Sequence, residues 1–401
     1  MRKTKERPGF FPCFYASFVI GMIALEIGLI LPYLMEEMIL SYSRAGGILS
    51  AFAIGNLAAG MLNPVLTRKL SARFVTVFFS ALLTAALFIM TLLPCYSVLY
   101  GTVMLIGVGR GTINIYVYAA ASGRKDGQSI FVHLLSVVFA IGALTAPLLT
   151  SLLLFFELGW RHIIYVFGFF SIFVPILLLL YHSQGNQKMN EKEAKEQFSE
   201  RDTEQLEDGG KKGSYYYKQL GFYILGGILF CYIGLENCVN GWFVQYFKDI
   251  NLMPAAYANM LVSVTWLLIL AGRVVTTVIS TKIRNQRLIC LNCIGAVAFF
   301  ILMIITKNPI IITFSIGGLG FFCAGIYPAC IAGSKRIINN STAGMSFLLA
   351  FSSFGGIIVP QVIGIIADRM GLVSAILYLV IIMLVMVSLA LLNNYKHSIS
   401  R

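Results

Sequence analysis

The sequence predicts an all-α membrane protein with twelve transmembrane helices in two pseudo-symmetric six-helix halves. Three observations predict this fold class: the apolar composition, the regular spacing of the apolar segments and an internal repeat. Of the 401 residues, 58% are hydrophobic and only 12% are charged, and the mean hydropathy is +0.83. Soluble proteins are about half apolar and about one quarter charged. The composition therefore excludes a soluble enzyme, a disordered chain and a disulfide-rich secreted module.

The apolar segments divide the chain into twelve spans, each long enough for the roughly 20 residues that a helix needs to cross the hydrocarbon core. The predicted spans are residues 10–34, 45–66, 72–93, 97–121, 129–155, 161–182, 218–247, 255–281, 286–306, 309–334, 341–366 and 371–393. Between the sixth and seventh spans lies a hydrophilic segment in which positive and negative charges nearly cancel, which is typical of a solvated linker. The sequence thus predicts an N-terminal half (1–182), a charged linker (183–217) and a C-terminal half (218–401).

Basic residues lie mainly in the loops on one side of the predicted spans. Outside the linker, 16 Lys and Arg residues fall on that side and 5 fall on the other. Because cytoplasmic loops are enriched in Lys and Arg, we expect this side, the linker and both termini to be cytoplasmic. The lack of a targeting segment favours a bacterial cytoplasmic (inner) membrane. These loops account for the net charge of +13, so no nucleic-acid partner is predicted.

The two predicted halves share glycines and a proline at an offset of 211 to 213 residues. The matching positions are Gly60 with Gly272, Gly107 with Gly318, Gly109 with Gly320, Gly142 with Gly355, and Pro147 with Pro360. Glycines allow membrane helices to approach closely, and repeated halves are typical of transporters whose substrate site lies between them near the bilayer midplane. The repeat therefore predicts alternating access of a small solute to the two sides of the membrane.

Three motifs relate this chain to a known family. Span seven (232–242) reads YIGLENCVNGW, the segment before span two (41–46) reads SYSRAG, and WR opens span six at 160–161. The chain resembles the major facilitator superfamily over nearly its whole length, and it is most similar to the fucose/galactose/glucose:proton symporter branch. The resemblance implies a secondary active transporter that imports a sugar or sugar-like metabolite by proton symport.

The expected partners are a small-molecule solute, protons and the lipid bilayer, and we expect a monomer. No nucleotide-binding loop and no cluster with metal-ligand spacing occurs in the sequence, so neither an ATP-driven pump nor an enzyme is predicted. No cofactor and no metal are predicted. Two alternatives remain: an organic anion or drug transporter that uses Arg110, and a non-transporting membrane sensor with the same fold.

Two carboxyl groups lie within predicted spans, where ionisable side chains are costly and indicate function. Glu26 lies in span one and Glu236 in span seven, and an offset of 210 residues relates them. Two carboxyl groups that face a shared cavity can load and release a proton, so we predict that both couple transport to protons. The alternative is that each is a fixed, paired charge that packs helices.

Arg110 lies near the middle of span four, and Asn114 and Tyr118 follow on the same helical face. A guanidinium cannot lose its proton to escape burial, so it needs an acceptor. Glu26, Glu236 and a substrate carboxylate are all candidates, and an internal ion pair and substrate contact are equally open. If Arg110 has no ion-pair partner in the absence of substrate, an anionic substrate such as a sugar acid is favoured.

The remaining candidates are polar or aromatic side chains in spans seven, ten and eleven. Amides pair with hydroxyl groups, and an aromatic ring can stack on a sugar. The predicted binding residues of this kind are Asn240, Trp242, Gln245, Tyr327 and Gln361. Trp242 is equally consistent with an anchor at the outer membrane surface. Arg273 and Arg68 are predicted gating residues.

Two positions depart from the symporter branch. Asn114 stands where a carboxylate is common, and Ser136 stands where a histidine is frequent. The resemblance therefore does not imply proton coupling through span four. The loop after span two also departs from the superfamily's basic signature, because Asn63 and Thr67 replace the expected Gly and Asp. Only Arg68 and Lys69 remain of that signature, and Arg68 is the gating residue predicted there.

Overall fold

The computed structural model describes residues 11–92, 95–122, 128–180, 219–280, 282–338 and 342–399. The helices are α1 (Phe11–Glu37), α2 (Tyr42–Thr67), α3 (Ala72–Thr91), α4 (Tyr96–Ser122), α5 (Gln128–Phe155), α6 (Trp160–Leu180), α7 (Leu220–Asp249), α8 (Ala255–Ser280), α9 (Asn285–Ile305), α10 (Pro309–Cys323), α11 (Ile326–Ile337), α12 (Thr342–Met370), α13 (Leu372–Leu377) and α14 (Leu379–Ile399). In these ranges, twelve helical spans are long and apolar enough to cross a membrane. The predicted fold class is confirmed, whereas the predicted linker (183–217) lies outside the described residues.

Local sequence signals explain where several helices begin. Ser41 precedes α2 and accepts a hydrogen bond from the backbone N–H of Arg44, and Ser71 does the same for Phe74 at the start of α3. Asn308 caps α10, and a proline follows at the first helical position. Such side chains satisfy backbone N–H groups that lack a partner in the first turn, so these polar residues fix the start of α2, α3 and α10.

Two predicted spans are broken in the structure. The span predicted at 309–334 consists of α10 and α11, which are separated at Ala324 and Gly325. Pro328 lies in the first turn of α11, where a missing N–H is tolerated. The span predicted at 371–393 consists of α13 and α14, with Tyr378 between them. The predicted lengths of both spans agree with the structure, but these breaks were not predicted.

The helix contacts repeat in the two halves. In the N-terminal half α1 packs on α5 and α2 packs on α4, and in the C-terminal half α7 packs on α12 and α8 packs on α10. The halves meet through α2 with α12, α5 with α8, and α1 with α7. The first two of these contacts are equivalent under the repeat, so they form a pseudo-symmetric interface.

Glycines bring the repeated helix pairs into backbone contact. A Cβ atom on Gly142 would lie 2.0 Å from the carbonyl oxygen of Phe18, and one on Gly355 would lie 2.0 Å from that of Phe230. These equivalent contacts support the predicted pairing of Gly142 with Gly355. No larger residue fits either position without a shift of the backbone.

The register of the repeat in span four differs from the prediction. A Cβ atom on Gly107 would meet the carbonyl oxygen of Phe52 at 2.3 Å, and one on Gly320 would meet that of Thr265 at 2.5 Å. Gly107 and Gly320 are 213 residues apart in the sequence, and so are Phe52 and Thr265. Gly107 therefore corresponds to Gly320 rather than to Gly318, and one offset of 213 relates span four to span ten and span two to span eight.

Hydrogen bonds join the two halves at the end of the bundle where α1 ends and α2 begins. The Tyr42 hydroxyl donates to Asp249 at 2.9 Å, and the Ser50 hydroxyl donates to the carbonyl of Ile357 at 2.6 Å. Lys248 and Glu36 form an ion pair across the same junction. We name this the outer end, after the topology predicted from the basic residues. These contacts close the outer end.

The opposite, inner end of the interface is more open on α2. Asn56 is exposed near the middle of this helix, and Gly60 follows one turn nearer the inner end on the same face. A Cβ atom on Gly60 would meet nothing within 4 Å. The space beside Asn56 thus widens toward the inner end.

Candidate functional site

Arg110 lies near the middle of α4, and its direct contacts are neutral groups. Its Nε donates to the carbonyl of Ile20 at 3.4 Å, and its Nη1 donates to Oδ1 of Asn56 at 3.3 Å. Its guanidinium carbon lies 5.6 Å from the ring centroids of both Phe52 and Phe139. The aromatic faces attract the cation. Among the described side chains, the only ion pairs within 4.0 Å involve other residues, so Arg110 makes none there.

Glu236 projects from α7 and is half-buried. Its carboxyl group lies next to the Tyr232 phenol and within electrostatic range of Arg273 and Arg110, with the stronger interaction to Arg273. Tyr327 of α11 is also within range of Glu236. The structure therefore brings together the predicted residues Glu236, Arg110, Arg273 and Tyr327.

Arg273, a predicted gating residue, is half-buried in α8 and interacts with Glu236. Arg68 is exposed and caps the inner end of α2. Its gating role stays a prediction, since it lies far along α2 from Asn56.

Glu26 faces a different part of the molecule. It is 0% exposed, and both carboxyl oxygens are buried without a hydrogen-bond partner among the described residues. It lies eleven residues after Tyr15, about 20° around the helix, and the Tyr15 hydroxyl donates to the carbonyl of Phe170 in α6. Gly28, which approaches the Asn240 carbonyl in the other half, is about 160° away from Glu26. Glu26 therefore points into the N-terminal half, and Glu236 lies between the halves.

Aromatic and amide groups extend the site from Arg110 toward α7. The Phe139 ring lies 6.0 Å from the ring of Trp266 in an edge-to-face arrangement. The Trp266 indole donates to Oδ1 of Asn240 at 3.3 Å. This contact leaves the two amide N–H donors of Asn240 for other partners.

Tyr118 and Asn114 occupy the same face of α4 as Arg110, as predicted from their spacing. The Tyr118 hydroxyl lies 2.9 Å from the Ser136 hydroxyl in α5, and Asn114 is half-buried. Tyr118 is within electrostatic range of Tyr327. The site is thus lined from both halves.

Three predicted binding residues lie at the outer end instead. Trp242 is 0% exposed, and its indole donates to the carbonyl of Pro360 at 3.2 Å. Gln245 donates to Asp249 at 2.6 Å, and Gln361 donates to a backbone carbonyl at the start of α2. In this conformation the polar groups of these three residues make contacts that close the outer end. The fully buried Trp242 ring is therefore available neither for stacking on a sugar nor as an anchor at the membrane surface.

Sequence reasoning missed Asn56 and Phe139, both of which contact Arg110. The sequence contains a signal for Asn56, because it is an amide within an otherwise apolar part of span two and polar groups in membrane spans need partners. The sequence contains no such signal for Phe139, since 13% of the residues are aromatic and a single aromatic residue in an apolar span does not indicate what it contacts.

Comparison with known proteins decides the family. A model of the Major Facilitator Superfamily matches residues 10–330. The chain belongs to the Major Facilitator Superfamily. This confirms the resemblance found in the sequence, and this superfamily member is a membrane transporter protein rather than an enzyme.

Two sugar transporters and one solved structure are similar to the chain. The chain is 24% identical over 356 residues to the glucose/mannose transporter GlcP of Bacillus subtilis (strain 168), covering 86% of this chain and 85% of that protein. It is 25% identical over 161 residues to a putative glucose/galactose transporter of Helicobacter pylori, covering 40% of this chain and 39% of that protein. The fold matches the crystal structure of a D-xylose-proton symporter with a TM-score of 0.77 at 13% identity, covering 96% of each chain.

Proposed function

We propose that the protein imports a sugar or sugar-like metabolite with protons by alternating access across the cytoplasmic membrane of a bacterium. The observation that carries this proposal is the position of Glu236, half-buried between the halves and within electrostatic range of Arg110 and Arg273. The proposed topology keeps both termini in the cytoplasm. We propose that a monomer suffices, because each half contributes residues to one central site.

The relatives support the substrate class. Those reported above carry the names of glucose/mannose and glucose/galactose transporters. Within this chain, Asn240 and Tyr327 offer an amide and a phenol of the kind that bind hydroxyl groups. A solute with many hydroxyl groups can replace its water hydrogen bonds at such a site.

The two ends of the interface support alternating access. The outer end is closed by Tyr42 with Asp249 and by Ser50 with the Ile357 carbonyl, and the inner side of α2 opens beside Gly60. This arrangement corresponds to an inward-facing state. Import requires that these outer bonds break and that contacts form at the inner end, so the site meets one side of the membrane at a time.

Glu236 is the proposed proton carrier. As a carboxylate it attracts Arg110 across the interface and Arg273 within its own half, because charges interact strongly where water is scarce. A proton on Glu236 removes that attraction and allows the two arginines and the substrate to rearrange. Of the two carboxyl groups predicted from sequence, Glu236 fits this role because it lies between the moving halves, whereas Glu26 lies within one half.

The test uses purified full-length protein in sealed liposomes that contain a pH-sensitive dye. Neutral sugars, sugar acids and amino acids are added outside, one at a time, and both internal pH and uptake of labelled solute are measured. We expect internal acidification that depends on a sugar or sugar acid. Uptake without acidification would reject proton coupling, and binding without movement of any solute would support a sensor instead.

A further inference from the structure

We propose that the substrate is a monoanionic sugar acid, such as an aldonate or a uronate, whose carboxylate binds Arg110. This inference rests on the proposed transport function and names its substrate class. It starts from the surroundings of Arg110, where a carbonyl, an amide and two aromatic rings take the place of a carboxylate. A guanidinium near the middle of a membrane protein is stabilised most strongly by an anion.

The charges between the halves leave an excess of one positive charge. Among the described side chains of this site, Arg110 and Arg273 are cations, and Glu236 is a carboxyl group within electrostatic range of both. Glu26 does not alter this balance, because it lies on the opposite side of α1 and has no partner that would stabilise a buried charge. A bound monoanion neutralises the site while Glu236 is a carboxylate.

The hydrogen-bonding capacity of Arg110 is only partly used. A guanidinium carries five N–H donors in one plane, and the two bonds described for Arg110 are both long, at 3.3 and 3.4 Å. The remaining donors suit a carboxylate, which accepts two parallel bonds from one guanidinium. Neutral hydroxyl groups would leave the excess positive charge of the site unbalanced.

The rest of the site suits the hydroxyl groups of the same ligand. Asn240 has free amide donors beyond its bond to Trp266, and Tyr327 lies on the Glu236 side of the site. A sugar acid presents one carboxylate and several hydroxyl groups, so it can use Arg110 and these neutral groups together. An unsubstituted fatty acid or a bulky drug would leave the neutral polar groups without partners.

The charge balance of transport follows from this assignment. One monoanion and one proton carry no net charge, so their joint uptake is electroneutral. The proton binds the Glu236 carboxylate, no covalent bond to the substrate forms, and the site has the same net charge when it is fully loaded as when it is empty. A neutral sugar with one proton would instead carry one positive charge into the cell.

The experiment compares matched pairs in liposomes of the full-length protein: glucose with glucuronate and gluconate, and galactose with galacturonate. Labelled uptake, internal pH and binding by calorimetry are measured at neutral pH. We expect uptake and acidification with an acid and at least tenfold weaker binding of the matching neutral sugar. A potassium diffusion potential set with valinomycin should leave acid uptake unchanged.

Variants at Arg110 and Asn56 separate the inference from the proposed function. Arg110→Gln should weaken binding of the acid at least tenfold, and Asn56→Asp should do the same by placing a carboxylate against Arg110. Arg369→Gln is the matched control, because it removes an exposed arginine at the outer end.

The outcomes distinguish the two claims. Proton-coupled uptake of a neutral sugar that survives in Arg110→Gln, with no binding of acids, overturns the sugar-acid assignment and leaves the proposed function intact. Acceleration of the uptake by an inside-negative potential also overturns it. Failure of every sugar and acid to move or to acidify the lumen overturns both claims.

Discussion

Asp368, in the last turn of α12, accepts a hydrogen bond from the backbone N–H of Ser43 in the first turn of α2, with an Oδ2–N distance of 3.1 Å. The contact places a carboxylate of the C-terminal half at the N-terminus of a helix in the N-terminal half, where its negative charge is favoured by the helix dipole. Beside it, Tyr42 donates to Asp249. Two carboxylates of one half thus hold the first turn of a helix in the other.

Removal of the Asp368 carboxylate should shift the protein toward the state that is open at its outer end. The expected change is about 0.5–1.5 kcal/mol, roughly a 2- to 10-fold increase in the outward-open population, because the bond is exposed to solvent. The measurement is maleimide labelling of Leu49→Cys in a Cys95→Ser background, since Leu49 is buried against Gly241 at this junction.

Arg369→Ala provides the matched control for Asp368→Ala. Arg369 is the adjacent exposed residue at the end of the same helix, and nothing in its position joins the halves. Equal labelling rates in Asp368→Ala and the parent protein would show that the Ser43 contact does not hold the outer end closed.

Trp242→Phe should separate packing from ligand binding. Phenylalanine preserves an apolar ring at this fully buried position but loses the hydrogen bond to the Pro360 carbonyl, so we expect a loss of about 1 kcal/mol in the contact between α7 and α12. Substrate affinity of the inward-facing protein should stay within about twofold, since removing a neutral hydrogen bond remote from the ligand changes binding little. Calorimetry measures that affinity, and a tenfold loss would restore the stacking role considered from the sequence.

The sequence predicted the twelve spans and placed Glu26 and Glu236 inside two of them, because membrane thickness sets helix length and the burial of charge is costly. It could not predict which neighbour each helical face meets. Glu26 and Glu236 lie at matching depths in spans one and seven, yet one faces α6 and the other faces the interface. The direction in which each side chain points depends on how α1 packs between the two halves. The spacing of apolar residues along the sequence does not show which helices α1 contacts.

The glycine contacts of the two halves should respond alike to substitution. Gly142→Ala and Gly355→Ala each add a methyl group 2.0 Å from a backbone oxygen, so each should lower stability by about 1–3 kcal/mol through overpacking. The measurement is thermal unfolding of the purified protein in detergent. Gly60→Ala is the control, since its new methyl group meets nothing within 4 Å. If Gly60→Ala were destabilised while the Gly142 and Gly355 variants were unaffected, the close backbone contacts at Gly142 and Gly355 would be contradicted.

Glu236→Gln and Glu26→Gln should have opposite consequences for proton coupling. The amide of Glu236→Gln cannot exchange a proton, so proton-driven accumulation should disappear while exchange of labelled solute down its own gradient survives. Glu26→Gln should retain accumulation, because the Glu26 side chain is fully buried within the N-terminal half and away from Arg110 and Arg273. Both variants are compared in liposomes with an imposed pH gradient and with solute gradients alone. Accumulation that persists with full pH dependence in Glu236→Gln but fails in Glu26→Gln would transfer the coupling role to Glu26, and it would require that α1 exposes its α6-facing side during the transport cycle.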